Sequence, residues 1–194
     1  MGEKALATYS YKEYLVLEAS SEQKYEYHGG LIAAMAGGTL AHGQLATNFG
    51  KLVGNEIDKV DISCNTYSSD VKVRIESADR TFYPDFSVVC GEPQTSEKDP
   101  NALINPLLIV EVLSESTVAF DRGAKFSHYR QIQTLKEYVL ISQSEPLVDV
   151  YYRTENGTWD INTYMELSES IHLKSLECAI QMEGVYRRVP GIGD

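Results

Sequence analysis

Leu107-Leu108-Ile109-Val110-Glu111-Val112-Leu113 is the stretch on which the reading of this chain turns. Its aliphatic residues fall on both alternating faces, the pattern of a strand covered from both sides in the middle of a sheet. Glu111 is the anomaly within it. An ionised carboxylate buried without a partner costs several kcal/mol, so a cation, a proton or a dense set of hydrogen-bond donors is expected beside it. A second acid, Asp85, follows Tyr83-Pro84 and heads the apolar segment Phe86-Ser87-Val88-Val89-Cys90. Lys125 follows in the next helical stretch. Two convergent acids and a lysine are the parts of a metal-dependent phosphodiesterase site.

Around this centre the chain divides into short elements. Ser10 and Glu13 form a capping box for a first helix over 10–20. The segments 24–27 and 31–35 flank His28-Gly29-Gly30 and read as a hairpin. Leu45, Phe49, Leu52, Val53 and Ile57 recur at helical spacing over 39–58, where Gly50 and Gly54 weaken the helix but let it approach a sheet. Ile62-Ser63-Cys64, 71–75 and 82–89 read as strands. In the second of these Lys72 and Arg74 alternate with Val71, Val73 and Ile75, which predicts one wet face. The Pro-containing stretch 91–105 reads as a loop. Residues 121–132 read as a helix with Phe126 and Tyr129 toward the core and Asp121, Lys125 and His128 on an adjacent face. Strands at 137–142 and 147–153, a hairpin turn at Asn156-Gly157, a strand at 159–164 and short strands near 171–173 and 176–180 complete the chain. The order implies one α/β domain over 1–194 with a mixed central sheet. No Gly-rich phosphate loop or dinucleotide fingerprint follows any strand.

Composition narrows the class. In 194 residues, 43% are apolar and 23% charged, as in an ordinary soluble domain. No apolar stretch spans a bilayer and the N-terminus lacks a signal-peptide pattern, so a cytoplasmic location without membrane contact is expected. Cys64, Cys90 and Cys178 are odd in number and widely spaced, which reads as three reduced core cysteines. The formal charge of −11 argues against broad phosphate binding. Arg122, Lys125, Arg130 and Lys136 are the best local basic face, with Lys72, Arg74 and Arg80 as a second.

Hydrolysing a phosphodiester requires an activated water and neutralisation of charge developing on the phosphorus oxygens, and Mg²⁺ or Mn²⁺ supplies both. Asp85 and Glu111 are the expected metal ligands, with the backbone carbonyl of Val112 as a further oxygen. Lys125 would hold the attacking water or stabilise the transition state, with Asp121 one turn earlier orienting it. Glu26 would approach from the first hairpin. The plain readings stand beside these: Pro84-Asp85 as a strand-entry turn, Glu26 as an exposed strand acid, Asp121 and Lys125 as a surface ion pair. His42 and Asp70 have a site-facing reading beside the plainer one as caps or hydrogen-bonding residues.

Taken together, Tyr25-Glu26, Ala34-Met35-Ala36-Gly37-Gly38, His42, Ser69-Asp70-Val71, Tyr83-Pro84-Asp85, Ile109 to Ser114 and Asp121 to Phe126 resemble the Uma-two family of endonucleases, in the restriction-endonuclease-like, PD-(D/E)XK superfamily. The resemblance runs from about residue 10 to residue 188. It implies a mixed sheet flanked by helices with additional hairpins, metal-binding Asp85 and Glu111, and Glu26 as the N-terminal acid. One position departs from the superfamily pattern. Two residues after Glu111 stands Leu113 where a lysine is usual, and Lys125 resembles its migrated replacement. The expected activity is Mg²⁺- or Mn²⁺-dependent cleavage of DNA, by a homodimer if both strands are cut. Two alternatives remain: a non-catalytic binding or assembly protein of this fold, favoured by the charge and the missing strand lysine, and a hydrolase of non-nucleic phosphoesters.

Overall fold

The run 107–113 forms the strand it predicts. In a computed structural model that describes residues 8–60 and 63–192, all six residues of Leu108–Leu113 are buried. In chain order the elements are α1 (Tyr11–Ala19), β1 (Tyr25–His28), β2 (Leu31–Ala34), α2 (Leu40–Val60), β3 (Cys64–Ser68), β4 (Lys72–Ile75), β5 (Arg80–Phe82), β6 (Phe86–Cys90), β7 (Thr95–Ser96), β8 (Asp99–Leu103) and β9 (Leu108–Leu113). Then follow α3 (Val118–Phe120), a π-helical turn (Asp121–Lys125), α4 (Phe126–Tyr129), β10 (Glu137–Ser142), β11 (Val148–Arg153), β12 (Trp159–Tyr164), β13 (Ser170–Leu173), β14 (Cys178–Gln181) and α5 (Met182–Val185).

The strands make two six-stranded mixed sheets and a two-stranded one. The first runs β2-β1-β5-β4-β8-β7 and the second β12-β11-β10-β9-β6-β3, with β9 and β10 parallel at its centre. One core lies between the second sheet and α2, where Leu45, Phe49, Val53 and Ile57 meet Val110, Val112 and Val139 and the β13–β14 hairpin closes over them. The other fills the space between the two sheets, where Val73, Ile75 and Phe82 meet Ile109, Leu113, Tyr129 and Tyr138. Alternation along β9 therefore sends Val110 and Val112 to one core and Ile109 and Leu113 to the other, and Glu111 shares the second side.

The local signals set the ends of the elements. Ser10 and Glu13 form the reciprocal capping box at α1, and Gly29 and Gly30 take positive φ (60° and 104°) in the β1–β2 turn. Gly50 lies on the β6 side of α2, where an added Cβ would stand 2.9 Å from the Phe86 ring, while at Gly54 it would meet nothing within 4 Å. Gly50→Ala is therefore expected to destabilise by about 1–3 kcal/mol through overpacking. Gly54→Ala should stabilise by about 0.5–1 kcal/mol, because alanine suits a helix interior better. Urea denaturation checks both, and equal effects would show that helix and sheet do not meet as closely as described.

Several expectations are corrected. The strand read at 62–64 begins at Cys64, and Ile62 lies outside the described residues. The segment 91–105 carries the β7–β8 hairpin, whose β8 pairs in parallel with β4; its prolines and polar residues concealed two short strands. The wet face of β4 is dry. Lys72 and Arg74 are 6% and 4% exposed because α1 packs over that side of the sheet. Lys72 pairs with Glu18 of α1 and with Asp99 at 2.9 Å, and Arg74 with Asp79 at 2.5 Å. Neither supplies a basic surface. Cys64 and Cys90 are not separate reduced residues: antiparallel β3 and β6 place them directly opposite each other and they form a disulfide, leaving Cys178 free.

Candidate active site

The site lies where β6 and β9 part. The first β6 residue, Phe86, pairs with Val110, so the last part of β9 runs on without a partner on that edge. Pro84 lacks an N–H and starts no ladder, and Asp85 takes the vacant place. The Val112 N–H donates to Asp85 Oδ2 at 2.7 Å. Asp85 Oδ1 lies 2.7 Å from His42 Nε2, presented by the first turn of α2 after Thr39 accepts the His42 N–H. The bond to Asp85, outweighing burial, raises the His42 pKa above its ordinary value.

On the inter-sheet side, Glu111 extends from β9 toward the helical segment that follows it. Its Oε1 is 2.8 Å from Lys125 Nζ and accepts the Tyr129 hydroxyl at 3.0 Å. Lys125 also stands 3.6 Å from Glu26 Oε1 and 3.6 Å from Asp121 Oδ1. The Tyr83 N–H donates to Glu26 Oε1, and His28 Nε2 lies 3.5 Å from Glu26 Oε2. Burial, opposed by Lys125, pushes the Glu111 carboxyl well above the usual range and raises Asp121 in the same way. For Glu26 burial is outweighed by Lys125, His28 and the Tyr83 N–H, and its pKa is lowered. Burial disfavours the Lys125 ammonium, but Glu111, Glu26 and Asp121 more than offset it, so the amine is held charged.

The structure thus brings together Glu26, Asp85, Glu111 and Lys125, in one cleft of ≈ 1360 Å³ that Val112 and Asp121 also line. The Asp121–Lys125 contact is a buried one, not a surface pair. The π-helical turn over Asp121–Lys125 helps aim both residues inward, and Tyr129 follows at the same four-residue step. His128, grouped by spacing with Asp121 and Lys125, is not part of the cleft lining and packs against the Phe82 ring, which the Lys125 amine also faces. Asp70 is exposed and pairs with Lys24 at 2.5 Å. Sequence reasoning placed Tyr129 in the core without its role. Its position four residues beyond Lys125 was the available signal. His42 does face the cleft, the site-facing one of its two readings, but its partner had no local signal, since 43 residues separate it from Asp85.

Residues 11–183 match the model of the Uma2 family, "Putative restriction endonuclease". The chain belongs to the Uma2 family. It is 35% identical over 176 residues to the uncharacterized protein slr1290 of Synechocystis sp., covering 91% of this chain and 90% of that one. It is also 35% identical over 153 residues to sll1609 of the same organism, covering 79% and 85%. A crystal structure of "a putative nuclease belonging to DUF820" from Anabaena variabilis superposes with a TM-score of 0.68 at 17% identity, over 90% of this chain and 96% of that one. That likeness shows the fold, restriction-endonuclease-like, with two large mixed sheets flanked by helices. Among the described residues of this Uma2 member, no helix is long and apolar enough to cross a membrane.

A divalent ion suits the donor set. Among the described residues no group of three or more His, Cys, Asp or Glu side chains is arranged to hold a metal, since Lys125 occupies the middle of the acids. Mg²⁺ needs fewer: it takes one or two carboxylates and keeps several waters. Asp85 and Glu111 would supply these, and the Val112 carbonyl, which on a strand shares the direction of its N–H toward Asp85, would supply a third oxygen. The raised pKa of Glu111 comes first from its burial, with the nearby Asp85 and Asp121 charges adding to it, and a bound cation would offset both.

Proposed function

We propose that this Uma2 protein is a divalent-metal-dependent endonuclease that hydrolyses phosphodiester bonds in DNA. The observation that carries the reading is the meeting of Asp85, Glu111 and Lys125 from three separate segments in one cleft, with Glu26 3.6 Å from the amine. Asp85, Glu111 and the Val112 carbonyl would hold Mg²⁺ or Mn²⁺, which would lower the pKa of a water and neutralise phosphate charge. His42 and the Val112 N–H fix the Asp85 carboxylate, as Lys125 and Tyr129 fix Glu111. Lys125 remains an ammonium, so its role is to orient the attacking water and stabilise charge in the transition state; it does not act as a base. Glu26 and Asp121 maintain that charge.

Incubation of the purified protein with DNA in Mn²⁺ should produce cleavage that EDTA abolishes. Calorimetry should show Mn²⁺ binding that strengthens as pH rises above the ordinary carboxylate range, because Glu111 must give up its proton to bind the ion. Absence of both cleavage and Mn²⁺ binding would leave the non-catalytic reading in its place.

A further inference from the structure

The cleft carries information about the form of DNA it takes. Among the charged side chains lining it are four acids, Glu26, Asp85, Glu111 and Asp121, against three lysines and no arginine. Lys125 is committed to the acids at the floor and Lys24 pairs with Asp70. Lys51, exposed on α2, is the one lining lysine that forms no ion pair among the described residues. The basic groups expected to form a stripe lie elsewhere or are engaged: Arg122 pairs with Asp149 at 2.5 Å, and Lys72 and Arg74 are buried. A duplex lying across the site would find no row of cations for its two phosphate backbones.

Depth and closure agree with charge. Glu111 is 4% exposed, Asp121 3% and Lys125 6%, so the reacting phosphate has to descend to a recessed floor. Two segments of the cleft lining are tied together, where Thr39 before α2 donates to Gln143 Oε1 at 2.7 Å just after β10. Bringing one phosphate into such a recess costs a stiff double helix bending or opening, a cost that a flexible single strand avoids. The wall also carries half-buried Tyr67, an aromatic face of the kind on which unpaired bases stack, while the Phe120 ring is packed against Phe82 and His28.

We propose that the substrate of this cleft is single-stranded DNA, including unpaired tails on a duplex, in preference to closed duplex. This rests on the endonuclease reading above. A single strand also needs one site, so no symmetric pair of subunits is required for the cut. Lys51 is assigned as a backbone-binding residue outside the reacting centre.

The full chain is given a fluorescein-labelled single strand, the blunt duplex of that sequence and the duplex with an unpaired tail, each with Mn²⁺. Cleavage of the single strand and of the tail should exceed that of the blunt duplex by roughly tenfold or more in kcat/KM, as unpaired substrates spare the cost of opening the helix. Fluorescence anisotropy in EDTA should rank binding in the same order without any turnover. Lys51→Glu should raise KM for the single strand with kcat unchanged, and flatten its dependence of log affinity on log salt by about 0.7 for the lost phosphate contact. Blunt duplex cut or bound as well as the single strand overturns this inference and leaves the endonuclease reading intact. No cleavage of any of the three overturns the endonuclease reading and this inference with it.

Discussion

A Lys125→Met variant is expected to lose about 3–5 kcal/mol of stability at neutral pH, the usual consequence of removing one member of a buried ion cluster and leaving the other charges uncompensated. The loss follows from geometry. The amine stands 2.8 Å from Glu111 and 3.6 Å from both Glu26 and Asp121, with its side chain 8% exposed. Without it, the three carboxylates repel one another in a poorly solvated space, and their folded-state pKa values rise above the unfolded ones. A group shifted upward in this way binds more protons folded than unfolded, so its penalty is complete above the folded pKa and fades as pH falls toward the ordinary carboxylate range. The deficit in urea denaturation should therefore be larger at neutral pH than near pH ~4.5, close to the unperturbed glutamate value. Cleavage should also disappear, while Mn²⁺ still binds and restores part of the stability because it replaces the missing positive charge. A neutral-pH loss below about 1 kcal/mol, the scale of an exposed pair, would show that the amine does not compensate the acids.

Asp85→Asn should retain the fold and lose Mn²⁺-dependent cleavage by about three orders of magnitude. A bound ion contributes several kcal/mol to charge stabilisation, and each ~1.4 kcal/mol is a factor of ten in rate. The asparagine carbonyl still accepts the Val112 N–H, so the edge of β9 keeps its hydrogen bond. Asp85→Ala leaves that N–H and His42 without a partner and is expected to be destabilised by about 1–3 kcal/mol in addition. Comparing the two separates the charge from the hydrogen bond. Circular dichroism establishes folding, and calorimetry should show Mn²⁺ affinity lost in both. Cleavage by Asp85→Asn at a rate close to that of the unaltered protein would remove Asp85 from the metal site.

What could be read in advance follows from how far each signal extends along the chain. Glu111 announced itself because six aliphatic neighbours surround it, and Asp85 because it follows a proline at the head of an apolar strand. Lys125 came from resemblance and from its four-residue spacing to Asp121, and the structure places it among the acids. Spacing put His128 on the face of Lys125, and both do meet the Phe82 ring, but only the tertiary structure shows that Phe82 is what lies there. Tyr129 was legible as a core residue and not as a partner of Glu111, since only the docking of α4 on β9 brings its hydroxyl to that carboxylate.

Alternation along each strand, helical spacing, capping residues and turn glycines are properties of neighbours in the chain, and by themselves they determined most of the elements, the mixed-sheet class and the two acids. Which charge meets which was decided only in three dimensions. Lys72 and Arg74 looked wet until α1 covered them, and Cys64 and Cys90 looked separate until β3 and β6 set them opposite each other. Asp85 acquired His42 only when α2 packed on the second sheet. Periodicity tells which side of an element a residue takes; what lies on that side depends on the docking of segments distant in sequence, where burial forces every charge to find a partner.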